Sequence, residues 1–309
     1  MKRTILISAL LFWCIGSVNI QGQGNSNKPE KPVPTFSDIP YGPHERHVFD
    51  LWLTKEKDGR VTPLVVYIHG GGFRKGNKNT IQAKSIEQFQ AAGFSVAAIH
   101  YRLSDSGPYP IMMEDAARFL QTIRSREKEW NLDTNRIACY GGSAGAGISL
   151  WLGFHDDLAD SKSKDPIARE STRITAAATL VGQSTYDLRT FREWFGIPDL
   201  KNHEALYPFY GVKDESDWET RRVKKLMKDA SAIPHLTEDD IPVLMTYGRG
   251  DVPVTKETSQ GVWVHHVKLG LKLKEAMAKI GLECNVQSPD HPENQYGSVE
   301  AFLIAKLSE

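Results

Sequence analysis

The sequence predicts an α/β fold in which helices cover both faces of a mostly parallel sheet. Short apolar runs alternate with helical patterns along most of the 309 residues, and this alternation is typical of parallel sheets in which helices connect the strands. Glycine-rich stretches directly follow two of the apolar runs. Because functional groups in such sheets lie at the carboxyl ends of the strands, the residues just after each strand are the candidates for function.

Strands are predicted from short apolar runs, and helices from apolar positions three or four residues apart. The predicted strands cover residues 47–53, 64–68, 94–99, 136–140, 176–181, 242–247 and 283–287. The predicted helices cover residues 81–92, 110–130 and 265–280, and another begins at about residue 148. Because no repeat and no second linker interrupts this pattern, we expect residues 37–309 to form one domain.

The N-terminal residues are predicted to lie outside this domain. A Lys-Arg pair at residues 2–3 precedes an apolar run at residues 5–20, and small polar residues follow it. This pattern is typical of a secretory signal peptide, so we assign residues 1–22 to a signal and residues 23–36 to a flexible lead-in. The mature protein is then secreted or periplasmic. The run is short and interrupted by polar residues, so no stable membrane insertion is expected.

The composition excludes partners that are recognised through charge. Lysine and arginine together number 38, as do aspartate and glutamate, and the formal net charge is zero. A neutral chain has no basic footprint for nucleic acid. The three cysteines form no C-x-x-C pair, so no metal site is predicted. The sequence carries no signal for an oligomeric state.

A G-x-S-x-G sequence follows the predicted strand at 136–140. Residues 141–145 read Gly-Gly-Ser-Ala-Gly and lead into an apolar helix. Glycines at these spacings let the backbones pack where a β-carbon would clash, and they leave the serine exposed on a sharp strand-to-helix turn. A glycine-rich turn that binds phosphate has a similar pattern. In this strand–turn–helix context, we predict Ser143 to be a nucleophile.

A second glycine-rich turn follows the predicted strand at 64–68. Residues 69–73 read His-Gly-Gly-Gly-Phe, and an H-G-G-G sequence at this place supplies backbone donors for an oxyanion. We predict that the amides of Gly71, Gly72 and Ala144 form the oxyanion hole, where one donor is typically worth about 10²–10³ in rate. His69 is expected to stabilise the turn rather than to act as a base.

With these two motifs, the sequence resembles the hormone-sensitive-lipase and bacterial feruloyl-esterase-like branch of the α/β-hydrolase superfamily. Between the motifs, Tyr-Arg-Leu at 101–103, Pro-Tyr-Pro at 108–110 and Asp115 look like the Y-R-L…P-x-P…D stretch of that family. The resemblance covers about residues 40–306. It implies an α/β-hydrolase fold and a catalytic triad whose members follow in the order Ser, Asp or Glu, and His.

The resemblance also implies where the other two triad members lie. Gly-Arg-Gly-Asp-Val-Pro-Val follows the strand at 242–247 and looks like the family's G-x-x-D-x-x-V segment, so Asp251 is the predicted acid. His291 follows the last predicted strand and is the predicted base, although an Asp-His-Pro sequence replaces the usual glycine-rich turn there. His265 and His266 are the alternatives for the base. Because they precede a predicted helix, we expect them to cap or pack it.

An aromatic-rich excursion between residues 186 and 234 is the candidate substrate region. It contains Trp194, Phe195 and Tyr207, which we predict to contact substrate. One interpretation is a lid or acyl pocket for an apolar or aromatic acyl group. The other is that these rings only pack the excursion onto the body of the domain, since aromatic side chains usually bury themselves.

Together, these features and the resemblance imply a secreted serine carboxylesterase. The expected substrates are short-chain or aromatic esters of acetyl or feruloyl type, either small or linked to a polysaccharide, and no cofactor is required. An arylformamidase or an exported serine peptidase on the same fold is the alternative. A non-catalytic binding protein is the third reading, but the serine, acid and histidine positions are all filled.

Overall fold

One mixed sheet forms the centre of the protein in the computed structural model, which describes residues 30–54, 59–292 and 295–309. In this part of the chain the sheet has eight strands in the order β1-β2-β4-β3-β5-β6-β7-β8. The strands are β1 (Phe36–Pro40), β2 (Val48–Trp52), β3 (Thr62–Ile68), β4 (Ser95–Ile99), β5 (Leu132–Gly142), β6 (Ala176–Leu180), β7 (Val243–Thr246) and β8 (Cys284–Gln287). The pairings of β1 with β2 and of β2 with β4 are antiparallel, and all others among them are parallel.

Helices cover both faces of this sheet, so the predicted α/β-hydrolase fold is confirmed. They are α1 (Ala83–Ala91), α2 (Ile111–Ser125), α3 (Glu127–Trp130), α4 (Ala144–Phe154), α5 (Leu188–Phe195), α6 (Leu206–Tyr210), α7 (Arg221–Asp229), α8 (Gln260–Trp263), α9 (Val267–Ala278) and α10 (Val299–Ser308). Alternate residues of β3 enter two separate cores: Leu64, Val66 and Ile68 face one, and Val65 faces the other. Side chains of α2, α4 and α9 fill the first core, and those of α1 and α10 the second.

The chain between β6 and β7 forms a helical insert, residues 186–235. It contains α5, α6, α7 and two short 3-10 helices at Glu215–Glu219 and Ile233–His235. Five of its large aromatic side chains are buried in the first core: Tyr186, Phe191, Phe209, Tyr210 and Trp218. Most of the aromatic content of this insert therefore packs it onto the sheet, as the second interpretation of the sequence expects.

Strand β1 lies partly within the predicted lead-in. It pairs with β2 through Ile39 opposite Phe49, yet four of its five residues are exposed. A mostly exposed edge strand that contains aspartate and proline has no apolar run to reveal it. The predicted signal at residues 1–22 and the start of the lead-in, residues 23–29, lie outside the described residues. Within the described residues, no helix is long and apolar enough to span a bilayer.

Candidate active site

The turn between β5 and α4 holds Ser143 in a strained conformation. Its φ of 50° and ψ of −115° are unfavourable for a residue with a β-carbon. The flanking glycines make the turn possible: a β-carbon at Gly141 or Gly145 would lie 2.2 or 2.0 Å from the carbonyl oxygen of Ile68. The Ser143 N–H donates to the carbonyl of Leu180 at 2.9 Å, which fixes the turn against β6. Ser143 therefore stands at the positive end of α4, above the carboxyl edge of the sheet.

The imidazole of His265 lies against the Ser143 hydroxyl. Ser143 Oγ and His265 Nε2 are 2.9 Å apart, and Nδ1 of the same ring lies 2.9 Å from the carbonyl oxygen of Gly261 in α8. The carbonyl can only accept, so Nδ1 carries the proton and Nε2 is free to accept the serine proton. Burial lowers the pKa of His265 below its ordinary value, a shift that the hydrogen bond to Gly261 opposes and Arg249 reinforces. At neutral pH the ring is therefore an unprotonated base next to a hydroxyl.

This contact corrects the predicted partner of Ser143, which was His291. His291 lies in an exposed turn after β8, where its backbone N–H and C=O pair with those of Ser288. The physical reason is the path of the chain after β7: the short helix α8 carries the chain back over the nucleophile turn before α9 begins. Of the two adjacent histidines, only His266 caps α9, where its Nδ1 accepts the N–H of Lys268 at 3.1 Å. A pair of histidines before a helix gives no sequence signal of which one faces the serine.

Asp251, the predicted acid, is near the neighbouring histidine. Its Oδ1 lies 3.5 Å from Nε2 of His266, and 51% of its side chain is exposed. The same Nε2 donates to the carbonyl of Val252 at 2.8 Å. The structure thus brings Asp251 to His266 rather than to His265, whose Nδ1 is occupied by the Gly261 carbonyl. An exposed carboxylate in this position contributes weakly to the orientation of a ring.

The glycine-rich turn after β3 lines the same cavity as His265. Gly71 and Gly72 have φ values of 121° and 62°, a region that glycine adopts without strain. A β-carbon at Gly71 would lie 2.1 Å from the carbonyl oxygen of Lys75. Ala144 is the first residue of α4, where N–H groups have no partner within the helix. Gly71, Gly72 and Ala144 line the same cavity as Ser143, which is the arrangement that the sequence predicts for an oxyanion hole.

His69 supports this turn from behind. Its buried ring stacks on Tyr101, with ring centroids 4.3 Å apart, and Nδ1 lies 2.8 Å from the carbonyl oxygen of Gly70. An Nη2 of Arg46 lies 3.1 Å from Nε2. Burial lowers the pKa of His69 to about 4, so the ring is neutral. These contacts agree with the expectation that His69 stabilises the turn.

Asp115 fixes the chain that follows β4. Its carboxylate accepts the backbone N–H of Arg102 at 2.8 Å and the guanidinium of the same residue at 2.6 Å. The neighbouring Tyr101 donates its hydroxyl to the carbonyl of His69 at 2.8 Å. The Tyr-Arg-Leu…Asp stretch therefore has a structural role, because it connects the end of β4 to the predicted oxyanion turn.

A cavity of about 520 Å³ opens beside Ser143. Apolar side chains line it at Phe73, Tyr186, Phe191, Leu206 and Val264, and polar side chains also line it. The polar group includes Arg74, which donates to Glu204 at 2.9 Å. The volume lies within the usual range of small-molecule sites, about 300–1,000 Å³.

The three predicted substrate contacts are not among the residues that line this cavity. The Phe195 ring lies against His266, with ring centroids 5.3 Å apart, and the Trp194 carbonyl accepts from Lys268. The Tyr207 hydroxyl donates to Glu215. Trp194 and Phe195 lie about one turn beyond Phe191, the residue of α5 that lines the cavity.

Comparisons with known proteins agree with this architecture. The family model described as BD-FAE matches residues 49–264, which include both glycine-rich turns. A curated relative, the probable carboxylic ester hydrolase LipM of Mycobacterium tuberculosis, is 26% identical over 72% of this chain and 50% of its own length. The chain spans about half the length of the curated relatives it matches.

Two solved structures share the fold at low sequence identity. A truncated carbohydrate esterase from gut microbiota is 19% identical, has a TM-score of 0.66, and aligns over 89% of this chain and 96% of its own. Propionate-bound esterase 2 of Thermogutta terrifontis is 20% identical, has a TM-score of 0.57, and aligns over 81% of both chains. Because the family model covers more than half of the sequence, the chain belongs to the BD-FAE family, a branch of the α/β-hydrolases.

Proposed function

We propose that this protein is a serine carboxylesterase that acts through an acyl-enzyme. The observation that carries the proposal is the 2.9 Å contact between Ser143 Oγ and His265 Nε2, in a cavity that the predicted oxyanion turn also lines. A nucleophile, a neutral base and backbone donors in one cavity are the requirements of acyl transfer. The family match and the name of the relative LipM support the same reaction.

In the first half of the proposed reaction, Ser143 Oγ attacks the ester carbonyl carbon while its proton moves to His265 Nε2. The carbonyl oxygen becomes an oxyanion, which the N–H groups of Gly71, Gly72 and Ala144 stabilise. When the intermediate collapses, the bond from carbon to the alcohol oxygen breaks and the proton on Nε2 passes to the departing alcohol. The acyl group is then bound to Ser143.

In the second half, water replaces the alcohol. It gives a proton to His265 Nε2 and attacks the acyl carbon, and the new oxyanion forms in the same place. Collapse breaks the bond to Ser143 Oγ, which recovers the proton from Nε2, and the carboxylic acid leaves. Throughout the cycle the carbonyl of Gly261 accepts a hydrogen bond from the Nδ1–H group of His265. A backbone dipole therefore holds the ring in the required tautomer, which is the role of the carboxylate in a Ser-His-Asp triad.

The shape of the cavity supports short or aromatic acyl groups. The wall formed by Phe73, Tyr186 and Phe191 is apolar and suits an acetyl-type or feruloyl-type chain. Arg74 and Glu204, which line the same cavity, offer hydrogen-bond partners to an alcohol that carries hydroxyl groups. A sugar-linked ester fits this combination of apolar and polar lining, and the structural likeness to a carbohydrate esterase is consistent with it. We place the protein outside the cytoplasm because of the predicted signal at residues 1–22.

The experiment that tests the proposal combines a probe with a point variant. A fluorophosphonate probe is expected to label the purified protein on Ser143, as located by peptide mass spectrometry. Ser143→Ala is expected to lose both labelling and hydrolysis of p-nitrophenyl acetate, while Ser106→Ala, on an exposed loop, retains both. Labelling of a different serine, or turnover that survives Ser143→Ala, would contradict the mechanism. Comparison of methyl ferulate, acetylated xylan and formanilide then separates esterase from arylformamidase activity.

A further inference from the structure

A second group of titratable side chains lies outside the proposed active site. His155 directly follows α4, Asp229 is the last residue of α7, and His235 ends the 3-10 helix at Ile233–His235. One nitrogen or oxygen atom from each side chain lies within 4.8 Å of the other two. All three residues are half-buried. The group therefore lies between the end of α4, the helix that follows Ser143, and the end of the helical insert.

Hydrogen bonds to the backbone fix which nitrogen of each imidazole is available. His155 Nδ1 lies 3.2 Å from the carbonyl oxygen of Trp151, and His235 Nε2 lies 3.0 Å from the carbonyl oxygen of Asp229. Because a carbonyl can only accept, these nitrogens carry the protons. His155 Nε2 and His235 Nδ1 are then left with lone pairs. His155 Nε2 is buried and has no hydrogen-bond partner among the residues that the structure describes.

The carboxylate of the group is also held in place. The Tyr109 hydroxyl donates to Asp229 Oδ2 at 2.7 Å and accepts the indole N–H of Trp151 at 3.0 Å. The ring of His155 stacks on Trp151, with ring centroids 4.1 Å apart. Carbonyls that fix the tautomer of a histidine, and donors that orient a carboxylate, are the usual surroundings of metal ligands.

We propose that His155, Asp229 and His235 bind a zinc ion, and that the ion cross-links α4 to the helical insert. Two imidazole nitrogens and one carboxylate oxygen form a known ligand set for zinc, with water in the fourth position. Ligands about 2.0 Å from a tetrahedral ion lie roughly 3.3 Å apart. The ligand atoms lie within 4.8 Å of one another, and the two imidazole rings are tilted by 31° with centroids 3.8 Å apart, so the side chains must rotate and draw together to coordinate the ion. None of the three residues lines the cavity beside Ser143, so the proposed ion links two segments of the fold and takes no part in ester hydrolysis.

Zinc binding to the full, tag-free chain tests this site after removal of bound metal with a chelator. Isothermal titration with Zn²⁺ alone is expected to show one ion per chain, and Co²⁺ is expected to give the visible absorption of a tetrahedral site. At a hundredfold excess of Zn²⁺ over the dissociation constant, binding to the folded state raises Tm by roughly 5 °C. Mg²⁺ and Ca²⁺, which prefer oxygen ligands, should leave Tm unchanged.

The variants are chosen to keep the fold. His155→Gln, His235→Gln and Asp229→Asn should each abolish the zinc-dependent rise in Tm, while their Tm without metal stays near that of the parent. Tyr109→Phe removes the hydroxyl that donates to Asp229 and accepts from Trp151, and it should weaken zinc affinity by about 10-fold. His44→Gln, a half-buried histidine outside the group, is the matched control and should bind as the parent does.

Two outcomes would overturn the proposal. The first is that the parent chain binds no zinc in the titration and gives no tetrahedral cobalt spectrum. The second is that the double variant of His155 and His235 binds as tightly as the parent, which would assign the ion to another site. Metal binding is measured independently of ester hydrolysis. A chain that binds no zinc would therefore not contradict the proposed function, and a chain without esterase activity would not contradict the zinc site.

Discussion

The two halves of the candidate active site differ in how closely the sequence determines them. The half that holds Ser143 and the oxyanion turn is built from short turns. At several glycines of these turns, a β-carbon would clash with a carbonyl of a neighbouring strand or of the turn itself. The half that supplies the base is built from the chain after β7, where α8 and the residues around it place His265 above the serine. Local backbone geometry thus determines the first half, and the path of a long connection determines the second.

This difference explains where a reading of motifs succeeds. Gly141 and Gly145 tolerate no β-carbon because it would clash with the carbonyl of Ile68. The two glycines of the motif therefore indicate the conformation of the turn directly. His265 and His266 differ only by one position in sequence. One bonds to Ser143 and the other caps α9, and their order along the chain follows from packing that involves distant residues. The base half is therefore the part of the site that mutations test best.

The largest expected effect comes from the base. His265→Gln removes the only imidazole that contacts Ser143 in the described residues, and kcat for p-nitrophenyl acetate should fall by about 10⁴-fold or more. His291→Gln is the matched comparison. Because His291 is exposed and bonds to Ser288 through its backbone, the variant should retain activity within about twofold of the parent, since an exposed change away from the site is usually mild.

Steady-state kinetics on both histidine variants, with circular dichroism to confirm that each is folded, checks this prediction. The reverse pattern, with activity lost in His291→Gln and kept in His265→Gln, would restore the base that the sequence first indicated. It would also mean that the base half rearranges in the working enzyme.

The next effect concerns the nucleophile half. Gly71→Ala places a β-carbon 2.1 Å from the carbonyl of Lys75 in a backbone with φ of 121°, so the turn must move. Displacement of one oxyanion donor should lower kcat by about 10²–10³-fold with little change in KM. Gly248→Ala is the control, because a β-carbon there meets nothing within 4 Å. A Gly71→Ala variant with parental kcat would exclude this turn from the oxyanion hole.

Much of the fold, and the half of the candidate site that holds Ser143, could be predicted from the sequence. Apolar runs revealed the buried strands, and the glycine spacing revealed the turn at Ser143. The edge strand at Phe36–Pro40 carried no such signal because it is mostly exposed. In the helical insert, the aromatic composition could not tell Phe191, which lines the cavity, from Trp194 and Phe195, which lie one turn away. Contacts between distant segments decide such details, and periodicity does not encode them.

A smaller effect is expected at Asp251. Its carboxylate lies 3.5 Å from His266 and is half exposed, while the Gly261 carbonyl occupies Nδ1 of His265. Asp251→Asn should therefore lower kcat/KM by less than about 10-fold, in contrast to the loss of about 10⁴-fold seen when the carboxylate of a serine triad is amidated. Asp290→Asn, which alters the partner of the Asp251 N–H, serves as a comparison. A loss of 10³-fold or more in kcat/KM at Asp251 would show that this carboxylate reaches the base during turnover.

The smallest effect is a shift in the pH profile. His265 must be neutral to accept the serine proton, and burial lowers its pKa below the ordinary value near 6.5. The acid limb of kcat/KM should accordingly lie below pH 6.5, with activity lost as the pH falls through the pKa of the folded enzyme. The charge of Arg249 contributes to the lowering, so Arg249→Gln should move the limb upward by a few tenths of a pH unit at low salt, and 1 M salt should reduce the difference by screening. Arg221→Gln, an exposed arginine at the start of α7, should leave the limb in place. If the limb moves equally in both variants, the lowered pKa reflects the overall charge of the protein. Movement in Arg249→Gln alone would identify His265 as the group that titrates, and it would assign the base half of the site to the segment between β7 and α9.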